Sequence, residues 1–302
     1  MKAKLSVVLA TRNEEQNIGE CLKSVKGIAG EMIVVDEKST DETAKVARSL
    51  GAQVYEVEHN DNFHITKQIA IDRASGDWIL QLDADERVTI DLANEIKKIV
   101  NSNNNELLKR VLVRPERAER VEGANEKKLT LFLRHQELIE KRDGVIGKPS
   151  GEVVAFFIPR INVFLGKPLI HAGVYPDGVI RLIKKDKARL PAKSVHEQME
   201  IDGEVAWLFN NLEHYDSPTF QRYLDRANRY TDLTANEFKS KNLSTSYFTL
   251  FNYSFIKPFT VFINLYFRHK GILDGFSGFV WSLFSALHFP IAYFKYWQIR
   301  KD

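Results

Sequence analysis

Three short apolar runs rich in β-branched residues, KLSVVLA, MIVVD and WILQLD, each end in a polar or acidic loop within the N-terminal third of the chain. Continuous apolar runs of that length mark strands buried on both faces, inside a sheet covered by helices. Between them the period changes. IGECLKSVKGI sets Ile18, Cys21, Leu22 and Val25 at helical spacing, and the segment after EKSTD runs as a helix to Leu50, with Gly51 as its stop. QVYEV reads as a further strand and HITKQIAIDRA as a further helix. Strands alternating with helices to about residue 100 predict an α/β fold with a mostly parallel, doubly wound central sheet. In such sheets ligands bind beyond the carboxyl ends of the strands. The loops after VVLA, IVVD and LQLD all fall at that edge.

LQLDADERV puts Asp83, Asp85 and Glu86 at one of these strand ends. Carboxylates that close repel, so a positive charge has to compensate them. Divalent Mg²⁺ and Mn²⁺ prefer carboxylate oxygen and commonly take one or two carboxylates together with substrate phosphates. On an extended chain Asp83 and Asp85, two apart, share a side. Taken alone, the motif reads better as a solvated turn with Asp85 or Glu86 capping a helix. Glu86 itself reads as a first-turn helix residue that favours the dipole. The neighbouring loops add to the pattern. Asp36 stands at the tip of the second strand, followed by Ser39, Thr40 and Asp41 as a helix N-terminus. Arg12 in TRNEE is available for a phosphate or a base edge. Lys67, on the helix before the Asp83 strand, is either within reach of a phosphate or an ordinary surface lysine.

The 302 residues fit one large domain, or one domain with an appendage. With 44% hydrophobic and 27% charged residues, wholesale disorder is excluded. A net charge of +3 and a pI of 8.7, without an arginine-rich arm or zinc-ligand spacing, give no basis for a nucleic-acid partner. A single cysteine, Cys21, offers no disulfide framework and points to a reducing cytoplasm. The N-terminal apolar stretch, Leu5 to Ala10, is shorter than a signal peptide's apolar region and reads as a buried strand.

Residues 101–152 are dense in charge and read as a solvated insertion, a small excursion of strands and loops. Short strands and loops from VVAFFIPRINVF onward are expected to close over the sheet edge, and SPTFQRYLDRANRYTDLTANEFKSK forms a helix with a charged face. Aromatic residues concentrate in the C-terminal half. Residues 275–294 contain no Asp, Glu, Lys or Arg, a length that reaches across a bilayer. Gly278, three serines, His288 and Pro290 speak against spanning. Lys257, Arg268, Lys270, Lys295, Arg300 and Lys301 flank the aromatic stretches, as in helices lying among the headgroups of an anionic leaflet. The alternatives for this surface are a homo-oligomer contact, ordinary core, or true insertion.

The ordered segments SVVLATRNEEQNIGECLKSV, IVVDEKSTDETAKVARSLGAQV and TKQIAIDRASGDWILQLDADERV resemble the N-terminal half of family 2 glycosyltransferases, which have the GT-A fold. FFIPRINVFLGKPLIHAGVYPDGVIRLIKK, SVHEQM, LEHYDSPTFQRYLDRANRYT and YFRHKGILDGFSGF are similar to the bacterial branch that includes lipopolysaccharide-core glucosyltransferases. The resemblance implies a nucleotide-sugar-binding half at 1–100, a charged insertion at 101–152, an acceptor and catalytic half at 153–218, and a helical, membrane-associating region at 219–302.

It also implies roles. Thr11, Arg12, Asn13 and Glu14 line the nucleotide pocket, Asp36 contacts the base, and Arg181 faces the donor diphosphate or the acceptor, with Lys67 joining the donor side. Asp83 and Asp85 are the DxD motif, holding with His196 a divalent metal, Mg²⁺ or Mn²⁺. Glu197 is the general base, and His171, Tyr175 and Asp177 belong to the acceptor side. Glu37 and Lys38 replace the family's usual small residues in the second loop. The processive synthases' Gln-x-x-Arg-Trp signature is absent, which favours one sugar per acceptor. The expected activity is inverting, metal-dependent transfer of a hexose, such as glucose from a UDP donor, to a lipid-linked or lipopolysaccharide-core acceptor. The expected site is the cytoplasmic face of the inner membrane, with peripheral or monotopic attachment. The rivals are a polyprenyl-phosphate glycosyltransferase, whose charged acceptor needs no strong base, and a non-catalytic nucleotide-sugar-binding scaffold.

Overall fold

A computed structural model describes residues 4–111, 126–191 and 199–301. In chain order it runs β1 (Leu5–Thr11), α1 (Ile18–Val25), β2 (Glu31–Asp36), α2 (Thr43–Ser49), β3 (Gln53–Glu56), α3 (Phe63–Asp72) and β4 (Trp78–Leu82). Next come β5 (Glu86–Val88), α4 (Ile90–Ile99), α5 (Asn104–Leu108), α6 (Glu126–Asp143), β6 (Val153–Ile158), β7 (Arg160–Phe164) and β8 (Lys167–Leu169). Then follow β9 (Val179–Lys184), β10 (Ala188–Arg189), β11 (Glu200–Ile201), β12 (Glu204–Trp207) and β13 (Leu212–Ser217). Helices α7 (Phe220–Ser240), α8 (Tyr247–Phe251), α9 (Lys257–Ile263) and α10 (Gly275–Lys301) complete the chain. Two compact units result: Met1–Arg160 with Pro176–His214, and Ile161–Tyr175 with Tyr215–Asp302.

The first unit is a seven-stranded sheet ordered β12-β6-β9-β4-β1-β2-β3, with β1 parallel to both β2 and β4. The chain moves outward from β1 to β3 and then returns to β4 on the other side of β1, so the crevice opens at the carboxyl ends of β1 and β4. Every residue of WILQL in β4 is buried, as a continuous apolar run in a covered sheet requires. In α1 the helical spacing seen in the sequence buries Ile18, Cys21, Leu22 and Val25. Gly51 ends the α2 region at a φ of +90°, a conformation that favours glycine.

Two expectations change. Three strands after residue 153, β6, β9 and β12, enter the sheet instead of closing over its edge, with β9 antiparallel between β4 and β6. The described part of the 101–152 segment is helical, and α6 belongs to the core. Phe132 is fully buried and stacks on Trp207 with centroids 4.5 Å apart, and Trp207 stacks in turn on Phe157 at 4.7 Å. The Trp207 indole N–H donates to Gln136 of α6 at 3.0 Å. Most of α6's charged side chains are exposed, around one large buried aromatic, Phe132.

In the second unit β7 and β8 form an antiparallel hairpin, and α7 packs with α10. Tyr293 and Tyr296 of α10 are buried against Ala235 of α7. Lys295 donates to the Asn228 carbonyl at 2.8 Å and pairs with Asp232 at 2.7 Å.

Candidate active site

The loops after β1 and β2 are laced together by side chains rather than by strand pairing. Asp36 is 1% exposed and accepts from the Ser39 N–H at 2.8 Å, the Ser39 hydroxyl at 2.6 Å and the Thr11 hydroxyl at 3.2 Å. Asn13, at a φ of +54°, donates its N–H to Ser39 Oγ at 2.9 Å and accepts from the Thr40 N–H at 2.9 Å. The Glu14 N–H donates to Thr43 Oγ1 at 2.8 Å. Thr11, Asn13, Glu14 and Asp36 therefore belong to one network, with Arg12 exposed in the same loop. Glu37, one of the two departures from the family pattern, is buried. It accepts from the Thr66 hydroxyl and lies 2.7 Å from His59 Nδ1. The second, Lys38, sits at a φ of +47° and pairs with Glu58.

The acidic motif after β4 is not extended. The Glu86 N–H donates to the Asp83 carbonyl at 3.0 Å, and the Asp83 N–H donates back to Glu86 Oε2 at 2.9 Å, closing a turn. The period-two argument therefore does not apply, and the carboxylates acquire separate partners. Asp83 takes Lys67 Nζ at 2.5 Å on one oxygen and the Arg181 guanidinium on the other. Burial works to raise this carboxyl, but Arg181 and then Lys67 overcome it and hold it well below the usual carboxylate range.

Glu86 corrects the sequence reading outright. It opens β5 instead of a helix, is fully buried, and accepts from Arg181 Nη2 at 2.9 Å and Arg160 Nη1 at 3.1 Å. Arg160 also pairs with Asp177 at 2.9 Å. The result is an alternating chain, Lys67–Asp83–Arg181–Glu86–Arg160–Asp177, in which each carboxylate has a cation and Gln81 adds a 2.7 Å acceptor for Arg181. Buried charge survives only when paired and hydrogen-bonded in this way. Arg181, assigned to the donor diphosphate or the acceptor, is 8% exposed and bonded within this chain.

Asp85 stands apart from that chain. Its Oδ2 lies 3.7 Å from Nε2 of His214, on β13, which pairs antiparallel to β5 with His214 opposite Glu86. Burial, reinforced by the charge of Arg160, pushes the His214 imidazole down to about 4, so it is neutral at neutral pH. A neutral imidazole beside a carboxylate has the donor chemistry of a divalent-metal site. His214 had no role in the sequence reading. The available signal was His-x-Asp in LEHYDS, where strand alternation puts His214 and Asp216 on one face.

Beside Lys67 and Arg181 lies a cavity of about 280 Å³, also walled by Gln81 and Asp177 and by His135 and Arg142 of α6. The Gly178 N–H donates to His135 Nε2 at 2.9 Å. A side chain at Gly178 would meet Trp207, with a Cβ only 2.4 Å from the ring.

Of the acceptor-side candidates, Asp177 lies in the charged chain of the first unit. His171 and Tyr175 belong to the second unit. There His171 Nδ1 lies 2.7 Å from Asp274, whose other oxygen accepts the Ile170 and His171 N–H groups at 3.2 and 2.8 Å. Burial pushes the Tyr175 hydroxyl up to about 12. His196 and Glu197 lie outside the described residues.

Residues 6–149 match the family model described as Glycosyl transferase family 2. An uncharacterized glycosyltransferase of Rickettsia prowazekii (strain Madrid E) is 27% identical over 286 residues, covering 94% of this chain and 83% of that protein. A lipopolysaccharide core biosynthesis glycosyltransferase of Rhizobium meliloti (strain 1021) is 23% identical over 303 residues, covering 98% of this chain and 93% of that protein. Among solved structures, glucosyl-3-phosphoglycerate synthase from Mycobacterium tuberculosis, in complex with Mn²⁺, uridine diphosphate and glucosyl-3-phosphoglycerate, is 28% identical over 28% of this chain and 34% of that one. Its TM-score is 0.26, an overlap too small to reason from.

Proposed function

From the match of residues 6–149 to the glycosyl transferase family 2 model, we propose an inverting, metal-dependent hexosyltransferase. Its donor is a nucleotide sugar, taken as a UDP-hexose, and its acceptor is a lipid-linked or lipopolysaccharide-core glycan at the cytoplasmic face of the inner membrane. Similarity along nearly the whole chain to a lipopolysaccharide core biosynthesis glycosyltransferase supports that choice of acceptor.

The observation that carries the reading is the division of labour among the three carboxylates after β4. Asp83 and Glu86 pair with Arg181, and Asp85 lies beside neutral His214, a carboxylate and imidazole whose donor chemistry suits a divalent cation. Carboxylate with imidazole fits Mn²⁺ better than Mg²⁺, which prefers oxygen alone. When bound, the metal would neutralise charge developing on the departing diphosphate.

The remaining work falls to side chains. Thr11, Asn13, Glu14 and Asp36 shape the nucleotide end, and Arg12 offers an exposed guanidinium to base or phosphate. Lys67 supplies its charge from the wall of the cavity. Glu197, carried over by resemblance, would take the acceptor hydroxyl's proton as that oxygen attacks the anomeric carbon from the face opposite the leaving group.

A thermal-shift screen of nucleotide sugars with and without Mn²⁺ tests this. The melting temperature should rise for one donor class and only with the metal present. If no donor gives a metal-dependent shift, the proposal falls.

A further inference from the structure

Within the second unit the aromatic residues do not all find a core. The helical run through α8 and α9 exposes Phe251, Phe255, Phe259, Ile263 and Phe267, with Phe255 at 64% and Phe259 at 67%. Tyr247 and Phe248 extend this surface at its start, and Ile272, Leu273 and Phe276 extend it beyond. The first five residues recur at every fourth position. In a uniform α-helix of about 3.6 residues per turn such a row would wind steadily around the axis. Two π-helical turns, Asn252–Ile256 and Asn264–Arg268, interrupt this run. Each turn takes up more residues than an α-turn, which holds the row closer to one side.

Charge on this surface is one-sided. Between Glu237 and Asp302 the only acidic residue is Asp274, and its carboxylate is 5% exposed and occupied by His171 and two backbone N–H groups. Lys239, Lys241, Lys257, Arg268 and Lys270 fall in the same stretch. Lys257 sits over the rings of Tyr253 and Phe289, at 4.4 and 4.6 Å from their centroids.

Helix α10, by contrast, is tied down. Beyond Lys295 and its partners on α7, Thr234 of α7 lies 3.0 Å from His288 Nε2, and the Tyr296 hydroxyl donates to the Leu243 carbonyl at 2.6 Å. Spanning a bilayer would strip these polar contacts of α10 from their partners on α7 and in the segment that follows it.

We infer that residues 247–268 lie flat in the headgroup region of an anionic membrane as a monotopic anchor, and that α10 is the packed strut behind them rather than a membrane span. Interfacial helices combine an aromatic face with flanking cations in this way, and lipid is the partner that rewards both features together. A water-soluble protein partner would need acidic groups set around an aromatic-lined socket, whereas an anionic leaflet supplies apolar depth and negative charge continuously. The inference deepens the membrane location proposed above but does not rest on glycosyl transfer.

The test is co-sedimentation of the full chain with vesicles of phosphatidylcholine alone and of phosphatidylcholine with phosphatidylglycerol. The wild type should favour the anionic vesicles, and added salt should weaken but not abolish retention. The variant Phe251→Ser/Phe255→Ser/Phe259→Ser should lose about tenfold in vesicle affinity. It should keep its melting temperature, because these side chains are exposed. A second variant, Phe255→Asp, repeats the test with one change. Unaltered binding by both folded variants, or no vesicle binding by the wild type, overturns the inference. So does a wild type that dimerises through this face without binding lipid. A C-terminal tag reached by protease only from the side of a sealed membrane opposite the rest of the chain would also overturn it, since that marks a spanning helix. Metal-dependent donor binding, measured on the same samples, reports on the transferase reading separately.

Discussion

Phe132 and Phe255 are the same side chain in opposite circumstances. In the first unit Phe132 is fully enclosed and stacked on Trp207, on a helix whose other residues are mostly charged. In the second unit Phe255 stands 64% exposed among other exposed rings, in a stretch with no acidic residue on its surface. Charge shows the reverse. The first unit takes Glu86 to zero exposure and feeds it two arginines, whereas the second leaves its cations in or near solvent. One unit spends its apolar surface on a core and holds fixed charges inside it. The other keeps apolar surface outward, where only a second apolar medium can cover it.

The contrast can be broken or sharpened by substitution, beginning with the largest effect. Asp85→Ala should lower metal-dependent transfer by about a thousandfold, with little change in melting temperature, if Asp85 holds the metal as proposed. Kinetics with purified donor measure it, and a variant as active as wild type would remove Asp85 from the site. Glu86→Gln should act the other way round. Taking one charge from a buried set costs about 3–5 kcal/mol, read by denaturant unfolding, and activity should fall because the Asp83 turn loses its brace. Phe132→Ala should cost a comparable 3–5 kcal/mol, or about 3 at least, through the cavity it leaves. If it were neutral, α6 would be an appendage after all.

A smaller effect concerns pH. His214 titrates at about 4 in the folded chain, against about 6.5 when unfolded. Between those values the unfolded chain binds a proton that the folded chain refuses, so this group withdraws stability as pH falls from about 6.5 toward about 4. His214→Gln should flatten the melting-temperature profile in that window, and an unchanged slope would contradict the burial argument. The smallest effect closes the comparison. Phe255→Ala should shift stability by less than about 0.5 kcal/mol, since it removes a side chain that already faces outward.

Much of the first half of the fold was legible. The strands at Leu5–Thr11, Glu31–Asp36 and Trp78–Leu82 follow from continuous apolar runs, and α1 and α3 from their period, because short-range pattern reports burial directly. The loops carrying Thr11, Asn13, Glu14 and Asp36 were legible too, since doubly wound topology brings successive strand ends to one edge. Glu86 and His214 were not. Glu86 meets Arg160 across 74 residues and Arg181 across 95, and His214 reaches Asp85 only through the pairing of β13 with β5. No local period encodes such separations.

By itself, the sequence determined which segments are buried, that strands and helices alternate, and that carboxylates end the strands at one edge. Those are consequences of side-chain polarity along a chain with two fixed periods. Tertiary structure alone decided which partners each carboxylate meets. Asp83, Asp85 and Glu86 are nearly equivalent as letters, but a charge in a protein is defined by its neighbours and its burial. Only the folded chain gave lysine and arginine to two of them and a neutral histidine to the third.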